Sequence, residues 1–169
     1  RVLFRSLEAT IISQTTPKFT ELLCSPSLLL AFGFGSGLAP KAPGTFGTIA
    51  SIPLWLLLIQ LSAPLYWILL TVATIAGVYI CSVATTKLKV HDHPGIVWDE
   101  FVGFWIAMSM VTPQLGSIIC GFLLFRFFDI VKPWPIGWLD KKVNGGLGIM
   151  IDDIVAGVYT AVLDRKSTR

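Results

Sequence analysis

Charge is scarce in this sequence. Of its 169 residues, 14% are charged and 54% hydrophobic, and the mean hydropathy is +0.74. A soluble domain carries roughly 25% charged residues. The composition therefore excludes a disordered chain, a coiled coil and an ordinary soluble enzyme surface. The remaining charge, 13 basic against 10 acidic residues for a net +3, is too slight and too scattered to indicate nucleic acid. Cysteine is sparse as well. Cys24, Cys81 and Cys120 lie far apart with no CxxC spacing, which argues against a zinc site or disulfide framework and leaves three small buried hydrophobes. There is no P-loop pattern G-x-x-x-x-G-K-[ST], no D-x-D-x-[TV] nucleophile and no C-x5-R loop, nor any internal repeat or low-complexity tract. No cleavable signal peptide is evident, because residues 1–20 lack a continuous apolar core. Arg1 and the stretch Arg165-Lys166-Ser167-Thr168-Arg169 carry no functional argument.

What the chain has instead is long uncharged runs. Thr45–Thr86 is 42 residues without a charge, Phe101–Phe125 another 25, and Ile154–Leu163 another 10. A membrane-spanning helix needs roughly 20 mostly apolar residues, so the first run alone suffices for two. The pattern predicts an all-α, polytopic membrane helical bundle of four to five membrane helices or half-helices. Residues 1–29 read as a polar or interfacial segment, 30–163 as one membrane-embedded domain and 164–169 as a polar tail. Within the domain, residues 22–47 read as a half-helix running into an irregular Gly/Pro-rich loop, tolerable at membrane depth only where protein or water covers it. Helices are expected over Thr48–Leu61, Leu65–Thr86, Ile96–Val111, Gly116–Val131 and Ile149–Leu163, with polar loops at Lys87–Gly95 and Lys132–Gly148.

The charges then sort by side. The two hairpin turns, 62–64 and 112–115, contain none, whereas Lys41, Lys87, Lys89, Lys132, Lys141 and Lys142 all fall at the opposite ends. The positive-inside rule makes that end cytoplasmic. Arg165 and Lys166 would land on the far side if the last helix spans fully, so the orientation rests on the N-terminal half.

Seven of the ten acids lie between positions 92 and 153: Asp92, Asp99, Glu100, Asp129, Asp140, Asp152 and Asp153. Asp99 and Glu100 precede Pro113 by 14 and 13 residues, and Arg126 and Asp129 follow it by 13 and 16. At about 1.5 Å rise per residue, antiparallel helices bring all four to similar depth. Arg126, Asp129 and Lys132 share one helix face. Carboxylates near hydrocarbon are costly and repel unless a cation compensates, and Mg²⁺ suits a few carboxylates while leaving positions for water and phosphate. The plainer alternative is an ion-pair network in which Arg126 and Lys132 neutralise two acids. Asp152 and Asp153 stand about 100° apart on a helix, so one is expected to bind metal and the other to support it.

Two glycine-rich stretches flank the cluster. Asn144-Gly145-Gly146-Leu147-Gly148 leads into the helix bearing Asp152, and free amides at such a start, those of Gly145 and Gly146, can hold an anion. Gly37–Thr45 adds the Lys41 ammonium and the Thr45 hydroxyl; glycine also simply closes turns. His93, beside Asp92 and His91, is a candidate proton shuttle or a structural loop histidine. Trp98, Trp105, Trp134 and Trp138 fit an interfacial aromatic belt.

Several stretches together resemble the phosphatidylglycerophosphatase A family, and closest to its proteobacterial inner-membrane members. They are Gly33-Phe34-Gly35-Ser36-Gly37, Ala42-Pro43-Gly44-Thr45-Phe46-Gly47, Val97-Trp98-Asp99-Glu100-Phe101-Val102-Gly103, the run from Arg126 to Pro135, and Gly145–Asp153. The resemblance covers residues 30–163 and implies an α-helical, Mg²⁺-dependent hydrolase that removes the terminal phosphate of phosphatidylglycerophosphate in a bacterial inner membrane; the charge distribution puts its site at the cytoplasmic face. For that reaction, Asp99, Glu100, Asp129 and one of Asp152 and Asp153 are expected to hold Mg²⁺, with Asp92 a further ligand candidate. Arg126 and Lys132, with Lys41 a further candidate, would bind the phosphate, with Thr45 and the Gly145 and Gly146 amides adding hydrogen bonds. His93 or a spare carboxylate would handle the proton. Two rival readings stand beside it. An ion or small-anion transporter could use the same carboxylates, but the uncharged far-side turns offer no exit. A CDP-alcohol phosphotransferase needs a D-G-x2-A-R pattern that is missing.

Overall fold

The computed structural model describes residues 16–90 and 93–167, except the side chains of residues 141 and 164–167. The expectations for residues 1–15, His91 and Asp92 therefore lie outside the described residues, as do the side chains of Lys141, Arg165 and Lys166. Every regular element among the described residues is helical. The order is α1 (Phe19–Leu23), α2 (Pro26–Ala31), a 3-10 turn (Gly33–Leu38), α3 (Pro43–Leu58), α4 (Ala63–Leu88), α5 (Trp98–Ala107), α6 (Leu115–Val131), α7 (Ile136–Lys142) and α8 (Gly145–Ser167).

Proline sets three of the helix starts, standing in the first turn of α2, α3 and α4, where a missing N–H costs nothing. Two helices begin earlier than expected, each after or at a residue of positive φ. Residues 43–47, expected in an irregular loop, already form the first turn of α3, because Pro43 follows Ala42 held at φ 48°. Likewise α8 starts at Gly145, whose φ of +74° only glycine adopts readily. The loop expected over 132–148 contains helix α7. The half-helix expected after residue 22 is broken into α1, α2 and the 3-10 turn, with Phe34 and Gly35 both at positive φ.

Among the described residues, two helices are long and apolar enough to cross a membrane, α4 and the portion Gly145–Leu163 of α8; α3 is a shorter apolar helix. One apolar face of α4 points outward: Leu65, Trp67, Ile68, Leu69, Val72, Ile75 and Tyr79 are exposed. Its threonines hide their hydroxyls by donating to carbonyls of their own helix, as Thr71 does to Trp67 and Thr74 to Leu70, each at 2.8 Å.

Helix α8 is central, packing on α4, α5, α6 and α7. Its closest partner is α5, and glycines permit the approach. A Cβ on Gly157 would overlap the Gly103 carbonyl, and one on Gly103 would sit 2.7 Å from the carbonyl oxygen of Asp153. Small residues that let helix backbones touch are the usual contact in a membrane-type bundle. Around this seam Phe101, Phe104, Phe125, Met108 and Trp55 are fully buried. A buried polar chain ties α4 and α3 to α5: Tyr66 donates to the Trp105 carbonyl at 2.7 Å, and the Trp105 indole donates to the Ser51 carbonyl at 3.1 Å. Trp98 and Trp105, expected in an aromatic belt, are thus core residues; Trp134 and Trp138 are exposed. Cys81 is buried as expected, while Cys24, in the turn after α1, and Cys120, on α6, are exposed.

Replacing Gly157 by Val forces side-chain atoms into the Gly103 backbone and should destabilise the protein by about 2 kcal/mol, the usual scale of overpacking. A lowered thermal midpoint in detergent micelles checks this; an unchanged one refutes the seam.

Candidate functional site

The beginnings of α5 and α8 and the end of α6 meet at one end of the bundle. The acidic residues collect there because α6 runs antiparallel to α5, while the glycine seam holds α8 against both. A cavity of about 450 Å³ opens at this end. Its polar lining comes from Asp99 and Glu100 (α5), Arg126 and Asp129 (α6), Lys132, Asp140 (α7), Asp152 and Asp153 (α8), and His93.

The structure brings together Asp99, Glu100, Arg126 and Asp129, as the helix arithmetic predicts, and adds Asp153. Ligand oxygens of Asp99, Glu100 and Asp153 lie within 4.8 Å of one another. Asp99 Oδ1, Glu100 Oε2 and Asp153 Oδ1 are buried and have no hydrogen-bond partner among the described residues. Buried polar atoms are seldom left unpaired, and three carboxylates this close repel one another without positive charge between them. All three are hard oxygen donors, which fits a divalent cation of the Mg²⁺ type.

The remaining acids are engaged. Arg126 Nη1 lies 2.6 Å from Asp129 and 3.7 Å from Glu100. Lys132 Nζ lies 2.7 Å from Asp140 and 2.6 Å from Asp152. Burial works against the charge of Lys132, but the hydrogen bonds it donates to these two carboxylates outweigh it, so its ammonium titrates above the ordinary lysine range. Asp152 also accepts the Asp153 N–H on its Oδ1 at 3.1 Å. The two neighbouring aspartates are thereby told apart: Asp153 faces the unpaired trio and Asp152 faces Lys132. The ion-pair network expected as an alternative is present around the trio, and it does not reach the unpaired oxygens.

His93 is buried against Phe32, with ring centroids 5.4 Å apart. Its Nδ1 accepts the Gly95 N–H at 3.0 Å, which leaves the proton of the neutral ring on Nε2, 3.2 Å from the Thr16 hydroxyl. Asp92, the further ligand candidate, lies outside the described residues.

Four of the expected phosphate-binding positions stand apart from the cavity lining: Lys41, Thr45, Gly145 and Gly146. Lys41 is exposed ahead of α3. The Gly146 amide donates to Ser82 Oγ on α4 at 3.2 Å, and a Cβ there would strike the Val78 carbonyl; this glycine serves helix packing. Cys120 and Arg126 do have C-x5-R spacing, yet both lie within α6 and Cys120 is exposed, so no phosphate-cradling loop forms.

Two residues gain importance from the structure. A Cβ on Gly44 would strike Glu100 Oε1 and sit 3.1 Å from Arg126 Nη1, so glycine lets the start of α3 close the cavity wall over that pair. Asp140 pairs with Lys132 across α7; among seven acids in sequence, only the helical bracket between residues 132 and 140 could have singled it out.

Substituting Arg126 by Met leaves Asp129 and Glu100 without their cation. In EDTA this should cost about 3 kcal/mol, the lower range for breaking a buried pair, read as a fall in thermal midpoint that excess divalent cation partly reverses.

The sequence pattern of the family described as Phosphatidylglycerophosphatase A matches residues 29–165. A protein of Escherichia coli (strain K12) named phosphatidylglycerophosphatase A is 49% identical over 140 residues, covering 82% of this chain and 81% of its own length. One of the same name from Haemophilus influenzae is 44% identical over 155 residues, covering 90% and 94%. A Bacteroides thetaiotaomicron protein, provisionally named a phosphatidylinositol-3-phosphatase, is 37% identical over 147 residues, covering 80% and 89%. No solved structure matches the chain.

Proposed function

Because the chain belongs to the phosphatidylglycerophosphatase A family and is a phosphatase, we propose that it hydrolyses the terminal phosphomonoester of phosphatidylglycerophosphate, giving phosphatidylglycerol and phosphate, with Mg²⁺ as cofactor. The observation that carries the metal is the set of three unpaired, buried carboxylate oxygens from Asp99, Glu100 and Asp153. Bound there, the ion supplies Lewis acidity to phosphoryl oxygens and to water.

The chain's own residues divide the remaining work. Arg126, at the inner end and steadied by Asp129, meets the phosphoryl oxygens as negative charge grows on the leaving oxygen. Lys132 supplies a second cation nearer the mouth. Asp129 and Asp152 hold these two cations in place. The leaving glycerol oxygen takes its proton from His93 or a cavity carboxylate. The cavity lining has no cysteine or serine among the described residues, and the chain has no D-x-D-x-[TV] pattern; both favour attack by water over a covalent phospho-enzyme.

The same reading puts the protein in a bacterial inner membrane. The outward apolar face of α4 and the spanning length of α8 support embedding in the bilayer; α3, α5 and α6 would complete four to five membrane helices or half-helices. The lysines that gather at the cavity's end support a cytoplasmic site. A lipid phosphomonoester then reaches the cavity from the membrane surface with its chains still in the bilayer.

The test is phosphate release from phosphatidylglycerophosphate in detergent micelles with and without EDTA. Release should require Mg²⁺, and Asp153→Asn should lower kcat by about a hundredfold, on the scale of losing one electrostatic contact to a transition state. No release under any divalent cation refutes the activity; full turnover by Asp153→Asn refutes the ligand set.

A further inference from the structure

Lys132 is held in place by an unusual amount of structure for a lysine that is 31% exposed at its side chain. It caps α6 in the left-handed conformation, φ 45° and ψ 57°, which turns the chain back toward α7. A Cβ on Gly137 would sit 2.8 Å from the Lys132 carbonyl oxygen, so only glycine lets the first turn of α7 come this close. Asp140, three residues further along α7, thereby reaches Lys132 Nζ at 2.7 Å. From the inner side Asp152 Oδ2 reaches the same nitrogen at 2.6 Å.

The two carboxylates are unequal. The Asp152 side chain is 10% exposed and that of Asp140 is 39% exposed, so the ammonium spans from the inner wall to the mouth. An ammonium has three N–H donors. Two are committed to these carboxylates, and the third is left for the cavity.

We propose that Asp140 is a positioning residue of the phosphatase: it holds the Lys132 ammonium at the cavity mouth, where the remaining N–H meets an anionic oxygen of the incoming phosphomonoester. This rests on the phosphatase reading above. Asp140 itself touches no substrate. Without it, Asp152 alone directs the ammonium and draws it inward, away from the mouth. The contact serves capture of the phosphate, since bond breaking takes place at the inner end beside Arg126 and the carboxylate trio. Loss of Asp140 therefore weakens KM and spares kcat. Gly137→Ala, which pushes α7 off the Lys132 carbonyl, acts in the same direction.

The experiment compares the full chain with its Asp140→Asn and Asp140→Glu variants in detergent micelles. It measures phosphate release from phosphatidylglycerophosphate, and separately the Kd of inorganic phosphate by calorimetry. Asp140→Asn should raise both KM and the phosphate Kd about fivefold, as expected for one partly exposed charge-assisted contact, with kcat and the thermal midpoint unchanged. Asp140→Glu, which keeps the carboxylate, should restore most of the affinity. An unchanged KM and Kd in Asp140→Asn overturns the proposal, as does a fall confined to kcat or a failure of Glu to rescue. If the unmodified chain releases no phosphate from the lipid, the activity fails, and the phosphate Kd still decides whether Asp140 positions Lys132.

Discussion

Mutual repulsion among Asp99, Glu100 and Asp153 is the constraint around which this molecule is arranged. Oxygens of three carboxylates come within 4.8 Å of one another inside a bundle of apolar helices, where each lost water of hydration is costly. Backbone contact between α5 and α8 at Gly103 and Gly157 enforces that proximity. A larger residue at the seam would relieve the repulsion by moving Asp153 away, and would dismantle the site with it. The fold thus uses close helix packing to hold an arrangement that electrostatics alone would disperse.

The two cations are distributed so as not to cancel the trio. Arg126 is drawn to Asp129 and stands farther from Glu100, while Lys132 is shared by Asp140 and Asp152. Each therefore arrives already balanced by its own carboxylates. That leaves the trio short of positive charge and keeps two polarised donors at the edge of the same cavity. On the proposed phosphatase reading, an anionic phosphate ester would enter such a cavity together with positive charge, which would tie substrate binding to cation binding without any moving part.

Much of this was legible in the chain before folding, for a physical reason. Helices rise by a fixed amount, so counting outward from the uncharged turn at Pro113 sets Asp99, Glu100, Arg126 and Asp129 at one depth. Rotation about a helix axis is harder to read. Choosing between Asp152 and Asp153 needs the α5–α8 seam, and a glycine's neighbour is invisible in sequence. The Pro- and Trp-rich segment after Lys132 resembles a turn in composition, so α7, and with it the partnership of Asp140, stays hidden. Aromatic residues are ambiguous for a related reason. Trp105 and Trp134 have the same chemistry, yet one donates to a buried carbonyl and the other lies at the surface. The glycine at 146 shows the same ambiguity, since its amide at an amide-rich helix start meets Ser82 on α4.

The Thr16 hydroxyl beside His93 extends the boundary of the working unit. The family pattern begins at residue 29, yet an atom thirteen positions earlier in the chain contacts a histidine of the cavity wall. Phe19 lies under Gly35, and Leu22 is fully buried, so the segment is anchored along its length. A chain trimmed to the recognisable pattern would keep every carboxylate and still lose the oxygen against which His93 orients its proton.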